Sequence, residues 1–362
     1  MTQRTVLLNP GPVTLTERVR NALLQEDQCH REPEFAKLTL DIKERLSRVY
    51  PQAQSQYEAI LLTGSGTCAV EAMLNTLVPQ DRTTLVMENG VYGERMTAML
   101  RTAGRPVVTV PVAWTASMDL DAAEQLLRKD PDISHVVAVH NETTTGRLND
   151  IRALANLCRQ YDKDLMLDAV SGFAGEWLDF HGWQPLAVAA TANKCLHGAP
   201  GVSFVMVRSE QFTEGKSQAK TLYLDLFRYH SEQQTGFSPF TQAVHVCHAL
   251  REALREFDDQ GGWEARHRRY RDLSTRIRAT LSALGIRRLL AETDYSAMIS
   301  SFHLPHGWNY SALHNVLRKE GFVIYAGQGD LQKSIFRIAN MGDIRDDDLE
   351  RLFRVFSDRV CG

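Results

Sequence analysis

The sequence predicts an α/β protein, with a large domain built on a mostly parallel sheet and a smaller α+β domain at the carboxyl end. Two observations lead to this fold class. Between residues 59 and 207, short apolar runs alternate with segments of helical periodicity, which is typical of parallel strands joined by crossover helices. After residue 255, long helices and separate strands follow one another without that alternation. We therefore expect an N-terminal segment at 1–20 near the active site, a large domain at 21–255 and a small domain at 256–362.

The apolar runs of the large domain predict strands at 59–62, 84–87, 106–110, 135–139, 165–168, 186–189 and 202–207. Apolar residues near helical spacing predict helices at 68–77, 95–102, 121–129, 151–161 and 243–255. For the small domain the same reasoning predicts helices at 263–284, 310–319 and 346–360 and strands at 298–304, 322–325 and 335–338.

Composition narrows the classes of ligand. The 41 basic and 44 acidic residues give a net charge of -3, which provides no overall field for nucleic acid or an anionic membrane. No apolar stretch approaches the roughly 18 residues of a membrane-spanning helix, and the first residues lack a signal-peptide core, so we expect a cytoplasmic protein. The six cysteines are scattered without a Cys-x-x-Cys pair, which favours reduced thiols and no metal site. We expect small-molecule ligands.

Asp168 and Lys194 are the most informative pair of residues. Asp168 closes the apolar stretch 164–168, and Lys194 lies in a probable turn one crossover later, among small or apolar neighbours. A carboxylate at a strand end and an amine nearby suit the two ends of pyridoxal phosphate, the first for the protonated ring nitrogen and the second for the aldehyde. The pair therefore predicts a pyridoxal-phosphate enzyme.

Three further motifs follow predicted strands. Thr-Gly-Ser-Gly-Thr at 63–67 precedes a helix, so Ser65, Gly66 and Thr67 could form a phosphate cup, although the motif matches neither a dinucleotide nor a Walker fingerprint. Tyr92 offers a flat partner for a heteroaromatic ring. The polar run 140–146 contains Thr143, which could reach the ring oxygen of the cofactor, and Glu142, which could anchor the loop.

Together these motifs resemble those of the class V aminotransferases. The matching segments are Pro-Gly-Pro at 10–12, Thr-Gly-Ser-Gly-Thr at 63–67, Asn-Gly-Val-Tyr-Gly at 89–93, His-Asn-Glu-Thr-Thr-Thr-Gly at 140–146, Asp-Ala-Val-Ser at 168–171, Ala-Asn-Lys at 192–194 and Phe-Arg-Ile-Ala-Asn at 336–340. Within the family, the chain most resembles the branch that exchanges amino groups between 2-aminoethylphosphonate and pyruvate. The segments that carry this closer resemblance are Leu-Leu-Asn-Pro-Gly-Pro at 7–12, Cys-His-Arg-Glu at 29–32 with Phe35, Glu-Ala at 71–72, Thr-Ala-Asn-Lys-Cys at 191–195 and Gly-Phe-Val-Ile-Tyr at 321–325.

The resemblance implies a fold-type I pyridoxal-phosphate enzyme that works as a homodimer with shared active sites. It implies that Lys194 is the Schiff-base lysine, Asp168 the partner of the ring nitrogen, Tyr92 the stacking aromatic and Thr143 a contact to the ring oxygen. Ser65, Gly66 and Thr67 would form the phosphate cup. In the segment 237–242, which contains Ser238 and Thr241, the family carries a threonine that lends its hydroxyl to the neighbouring subunit's phosphate; Ser238 departs from it.

Candidate substrate-binding residues are inferred from the charge of the substrates. One cationic anchor must accept both a carboxylate and a phosphonate in turn, and Arg337 is the candidate because a guanidinium can bind either anion with two hydrogen bonds. Arg31 is a second candidate for the phosphonate, while the sequence does not rank Arg95 and Arg147. The stretch around Arg31 resembles the biosynthetic branch, in which phosphonoacetaldehyde is aminated.

Three alternatives stay open. A serine–pyruvate or alanine–glyoxylate aminotransferase would use the same residues. A cysteine desulfurase would need a nucleophilic cysteine on a mobile loop and usually a histidine beside the lysine, where this chain has Asn193. A binding protein could use the glycine-rich turn without any chemistry.

Overall fold

The computed structural model describes residues 4–362. Its strands are β1 (Val6–Leu7), β2 (Tyr57–Thr63), β3 (Thr83–Glu88), β4 (Val107–Pro111), β5 (Ile133–Val139), β6 (Asn141–Glu142), β7 (Arg147–Leu148), β8 (Asp164–Asp168), β9 (Ala187–Thr191), β10 (Val202–Arg208), β11 (Ile299–His303), β12 (Phe322–Val323), β13 (Tyr325–Ala326) and β14 (Ile335–Ala339). Its α-helices are α1 (Glu17–Asn21), α2 (Pro33–Arg48), α3 (Gly66–Leu77), α4 (Val91–Thr102), α5 (Leu120–Lys129), α6 (Ile151–Gln160), α7 (Gln211–Glu214), α8 (Leu226–Gln233), α9 (Val244–Asp259), α10 (Gly262–Ala283), α11 (Tyr310–Lys319) and α12 (Asp346–Val355).

A seven-stranded sheet forms the centre of the large domain, in the order β2-β10-β9-β8-β5-β3-β4. Only β10 runs against the others, since it pairs antiparallel with both β2 and β9. Its inner strands are continuous apolar runs, as in β5, where Val136, Val137 and Ala138 are fully buried. Such runs are expected where helices cover both faces of a parallel sheet.

The strand register brings the predicted chemistry to one edge of this sheet. Val139 at the end of β5 is paired with Asp168 at the end of β8, and Asp168 is paired with Ala189 in β9. The chain then turns between β9 and β10, and Lys194 lies in that turn. Ligands of open α/β sheets bind at the carboxyl ends of the strands, so this edge is where a site is expected.

The second core belongs to the carboxyl-terminal part of the chain. Strands β11, β14 and β13 form an antiparallel sheet, while β12 pairs in parallel with β1 from the other end of the chain. Val6 and Leu8 are buried in this core with Phe302 and Phe336. The N-terminal segment is therefore anchored to the small domain, although it leads into the large one.

The α/β class and the predicted strands of the large domain are confirmed, each strand within two residues of its predicted bounds. The predicted strand 322–325 is wrong as one element, because Ile324 is buried and separates β12 and β13, which belong to different sheets. The predicted start of helix α4 is also wrong: the helix begins at Val91, which puts Tyr92 in its first turn. The predicted helix 346–360 is α-helical only to Val355 and ends in a π-helical turn.

Sequence analysis did not identify α2, although Leu38, Ile42 and Leu46 recur at helical spacing and are buried. Its proline in the first turn is a helix-start signal. The division of the chain at 1–20, 21–255 and 256–362 stays a prediction; residues 1–3 lie outside the described part, and the second boundary falls within α9. Within residues 4–362, no helix combines the length and apolar character that crossing a membrane requires.

Candidate active site

Lys194 lies at the carboxyl edge of the sheet with its amine free of protein partners. The side chain is half-buried, and Nζ forms no hydrogen bond within residues 4–362. Burial lowers the pKa of the Lys194 amine below its usual value, and the nearby Tyr92, Cys195 and Asp168 groups act in the opposite direction. A lysine of this kind has a larger neutral fraction than a surface lysine, so it can act as a nucleophile or a base.

Asp168 ends β8 and is buried, with a relative exposure of 6%. Its Oδ1 accepts a hydrogen bond from Val170 N at 2.9 Å, while Oδ2 has no partner among the described residues. Burial raises the pKa of Asp168, whereas the Val170 N–H, Lys194 and Arg95 lower it. A buried carboxylate with one open oxygen suits a cationic N–H donor such as a protonated ring nitrogen.

The glycine-rich turn forms the N-terminus of α3. Ser65 is the exposed N-cap residue, and the amides of Gly66 and Thr67 donate to no acceptor in the described part of the chain. A methyl group at Gly66 would lie 2.5 Å from Val170 Cγ1, so the close approach requires glycine here. Free amides at the start of a 12-residue helix are suited to a phosphate group.

Tyr92 and Arg95 line a small cavity together with Thr67, Asp168 and Val170. The Arg95 guanidinium carbon lies 4.7 Å from the centroid of the Tyr92 ring, and Arg95 Nη1 donates to Thr67 Oγ1 at 3.4 Å. Sequence analysis did not rank Arg95. Arg95 lies three residues after Tyr92, so both side chains are on one face of α4. A prediction that started this helix before Tyr92 would have paired the two residues.

Arg337, in β14 of the small domain, reaches across to the large domain. Its side chain is buried, with Nε donating to Ala326 O at 2.8 Å and Nη1 to Thr143 O at 2.6 Å. Burial lowers the pKa of the Arg337 guanidinium, and the Tyr92 and Glu142 groups oppose this shift. Nη2 hydrogen-bonds none of residues 4–362, which leaves donors for an anion.

The loop after β5 is buried and polar. Thr143 is a buried residue whose hydroxyl group forms no hydrogen bond within the described residues, and its carbonyl oxygen accepts a hydrogen bond from Arg337. Asn141 is also buried, and neither its Oδ1 nor its Nδ2 has a partner there. Sequence analysis missed Asn141, although its place directly after a buried strand is the same signal that indicated Thr143. Unpaired buried polar atoms indicate a ligand.

Other predicted residues lie apart or are engaged elsewhere. Arg31 is exposed and forms no hydrogen bond or ion pair within residues 4–362. Arg147 is held by Thr115 O at 2.7 Å and by Asp294 at 2.9 Å, which indicates a structural link. Ser238 is buried and accepts a hydrogen bond from Gln242 Nε2 at 2.8 Å, whereas Thr241 is exposed.

Cys195, next to the lysine, has no features of a nucleophile. The thiol is buried, its Sγ donates to Ser171 O at 3.3 Å, and burial raises its pKa to about 12. Reactive cysteines instead have lowered pKa values and partial exposure. The desulfurase alternative therefore has no candidate nucleophile at this position.

The functional groups of these residues match those that would bind pyridoxal phosphate. One edge of the sheet offers free helix amides for a phosphate, an open carboxylate oxygen for a ring nitrogen, a half-buried amine for an aldehyde and an aromatic ring. No single one of them is specific, but the four together match the ends and the face of that cofactor.

Comparisons with known proteins agree with this chemistry. Residues 18–345 match the sequence model of the family described as "Aminotransferase class-V". The chain is 35% identical over 350 residues to a 2-aminoethylphosphonate–pyruvate transaminase of Bacillus mycoides, covering 96% of this chain and 95% of that protein. It is 36% identical over 358 residues to one of Klebsiella pneumoniae, covering 97% of both.

Two solved structures share the fold over nearly the whole chain. An aspartate aminotransferase from Thermus thermophilus superposes with a TM-score of 0.88 at 25% identity, covering 97% of each chain. An alanine–glyoxylate aminotransferase from Nostoc sp. superposes with a TM-score of 0.90 at 22% identity, covering 98% of this chain and 95% of that one. The second likeness concerns the fold alone.

Proposed function

The chain belongs to the class-V aminotransferase family, and from this membership we propose that it uses pyridoxal phosphate to exchange an amino group between 2-aminoethylphosphonate and pyruvate. The other pair of compounds in this reversible exchange is phosphonoacetaldehyde and alanine. The observation that carries the substrate assignment is the nearly end-to-end similarity to transaminases of that name from two unrelated bacteria, at 35% and 36% identity. The match between the functional groups of the site and pyridoxal phosphate supports the choice of cofactor.

The cofactor, when bound, supplies an electron sink that stabilises negative charge at the substrate carbon. Asp168 would keep this sink effective, because its open Oδ2 could hold the ring nitrogen in the protonated form. The free amides of Gly66 and Thr67 and the hydroxyl groups of Ser65 and Thr67 would hold the phosphate. Tyr92 would supply the aromatic face for the ring, and the unpaired hydroxyl of Thr143 would donate to the ring oxygen.

Lys194 is the proposed proton carrier. Because burial lowers the pKa of its amine, the free side chain could take up a proton released from the substrate carbon and later give it back. Its stem packs against the backbone of Gly11, which limits the positions that the amine can reach. Restricting the amine in this way shortens the search for the productive geometry.

Arg337 binds the anionic end of each substrate in turn. The two N–H groups of Nη2 have no acceptor among residues 4–362, and they can donate to the oxygens of a carboxylate or of a phosphonate, while Nε and Nη1 stay bonded to the protein. A single anchor serves both substrates because the donor and the acceptor occupy the site in succession.

We further propose a cytoplasmic homodimer whose two active sites lie at the subunit interface. Leu222 and Tyr223 support it, because both expose large apolar side chains, at 61% and 40%, beside the glycine-rich turn. Tyr223 donates to Thr63 O at 3.1 Å, so this exposed apolar pair adjoins the phosphate cup. Light scattering of the purified protein tests the assembly, and a monomer that transfers amino groups at the full rate would contradict it.

The decisive experiment is a substrate panel with the purified protein and added cofactor. The donors are 2-aminoethylphosphonate, taurine, alanine and serine, and the acceptors are pyruvate and glyoxylate. We expect 2-aminoethylphosphonate with pyruvate to give the highest kcat/KM, and a Lys194→Ala variant to be inactive. Faster transfer from serine to pyruvate, or from alanine to glyoxylate, would overturn the assignment in favour of the second aminotransferase type.

The preferred direction is tested with the same protein. We propose the biosynthetic direction, in which alanine donates its amino group to phosphonoacetaldehyde. Rates measured from both sides should show efficient formation of 2-aminoethylphosphonate, and a reaction that proceeds only toward the aldehyde would contradict this direction.

A further inference from the structure

Glu142 is a buried carboxyl group that has no part in the steps above. It stands in β6, directly after the central strand β5, and is fully buried. Its Oε1 accepts hydrogen bonds from Thr144 N at 3.0 Å and from Thr144 Oγ1 at 2.6 Å. Its Oε2 is buried without a hydrogen-bond partner in the described part of the chain. Such a group is costly to bury, which indicates a role beyond packing.

On one side, Glu142 fits against the start of the helix that carries Tyr92. A methyl group at Gly90, the N-cap residue of α4, would lie 2.6 Å from Glu142 Oε2, so the carboxyl group occupies the space of the missing side chain. Val91 N donates to Thr144 Oγ1 at 3.1 Å. Because the same hydroxyl gives its own proton to Glu142, the carboxyl group fixes the first turn of α4 through Thr144.

On the other side, the loop of Glu142 holds the anion anchor. Thr143 O accepts from Arg337 Nη1 at 2.6 Å. Gln328 Oε1 lies 3.4 Å from that nitrogen and 3.5 Å from Thr144 Oγ1. Glu142 is thus one residue from the carbonyl that orients Arg337 and two residues from the hydroxyl that secures α4.

We propose that Glu142 is a positioning residue that sets how strongly Arg337 binds the anionic end of the substrate, an inference that rests on the proposed function. It acts in two ways. Its hydrogen bonds to Thr144 hold the loop so that the Thr143 carbonyl orients the guanidinium. Its own negative charge, when present, offsets part of the positive potential that Arg337 offers to an anion.

The charge on Glu142 changes within the physiological range. Burial raises its pKa to about 7, the Thr144 donors oppose this shift, and Asp168 adds to it. The other groups that face it are the backbone N–H of Tyr92 in α4, which lowers the pKa of Glu142, and the Arg337 guanidinium from β14. Below this pH Glu142 is neutral and the Arg337 charge is fully available; above it the carboxylate competes with the substrate anion. Anion binding at Arg337 should therefore weaken as the pH rises through about 7.

The test uses ethanesulfonate, which resembles the anionic end of the donor, lacks its amine and stays a monoanion throughout. Its Kd for the cofactor-loaded protein is measured by calorimetry from about pH 5.5 to about pH 8.5, on either side of the Glu142 pKa. We expect the Kd of the wild-type protein to rise about fivefold over this range, from the appearance of one nearby charge. Glu142→Gln, which keeps the shape without the charge, should bind with a nearly constant Kd.

Glu88→Gln is the matched control. Glu88 is a half-buried carboxylate at the end of β3 that accepts a hydrogen bond from Thr97 of the same helix α4, away from Arg337. This variant should keep the wild-type pH dependence. Should the Glu142→Gln protein not fold, Thr144→Val replaces it. The carboxyl group stays, but the link to α4 and one donor to Glu142 are lost, so binding should weaken and its pH dependence should move to higher pH.

Two results would overturn the inference. A wild-type Kd that does not change with pH excludes the role of the charge whatever the variants do. A pH dependence that persists in Glu142→Gln assigns the titration to another group. Failure of the proposed function can be told apart from failure of this inference, because a protein that transfers no amino group can still show Glu142-dependent ethanesulfonate binding.

Discussion

The backbone of Gly11 lies against the side chain of Lys194: a methyl group added at Gly11 would stand 3.0 Å from both Cδ and Cε of the lysine. Gly11 also has a φ of +119°, which favours glycine. We predict that Gly11→Ala folds but lowers kcat by roughly tenfold, because the displaced lysine stem misplaces the amine. Steady-state kinetics with pyruvate check this.

Gly307→Ala is the control for that substitution. Gly307 also has a positive φ, +81°, but no atom lies within 4 Å of an added methyl group. It should show the backbone strain without the kinetic loss. Equal losses of kcat in the two variants would mean that strain, and not contact with Lys194, is responsible.

Asp168→Asn should lower kcat by about 10²- to 10³-fold, because an amide cannot hold a ring nitrogen in its protonated form. The phosphate cup is untouched, so the cofactor should still bind, as measured by its visible absorbance after gel filtration. Asp164→Asn, at the half-buried start of the same strand, is the control and should retain near-normal activity. Full activity of Asp168→Asn would remove this residue from the proposed mechanism.

Arg337→Ala should raise KM for both 2-aminoethylphosphonate and pyruvate by about tenfold to a hundredfold, from the loss of charge-assisted hydrogen bonds. Arg278→Ala is a matched control, since Arg278 is equally buried but pairs with Glu292 and Ser300 in the small domain. It should affect thermal stability and leave both KM values near normal. A defect of Arg337→Ala with one substrate alone would disprove the shared anchor.

The pair of His267 and Glu176 makes stability depend on pH. His267 Nδ1 lies 3.3 Å from Glu176 Oε2, and this contact raises the pKa of His267. A raised histidine pKa stabilises the fold fully below the unfolded value near 6.5, and the contribution disappears as the pH rises through the folded value. His267→Gln should therefore lower Tm at about pH 5.5, by the equivalent of about 1 kcal/mol or less because the ring is partly exposed, and have little effect at about pH 8.5. Thermal unfolding at the two pH values checks this, and a larger loss at the higher pH would contradict it.

Much of the fold and of the sheet-edge chemistry could be predicted because the signals are local. The strands are continuous apolar runs; Asp168 ends one of them, and Lys194 lies three residues after the end of another. Arg337 was inferred from its charge alone, but its orientation depends on Thr143, a contact between residues 194 positions apart. The burial of Ser238 by Gln242 and the contact of Gly11 with Lys194 also depend on folded geometry that no periodicity reports.

The turn that carries Lys194 joins two strands that are neighbours in the sheet, with Thr191 paired to Ser203 and Ala192 N bonded to Val202 O. The backbone on both sides of Lys194 is therefore fixed by strand pairing, and the position of the lysine follows from the register of β9 and β10. For protein engineering, this makes position 194 a site where the lysine could be replaced by another functional side chain without redesign of the surrounding backbone.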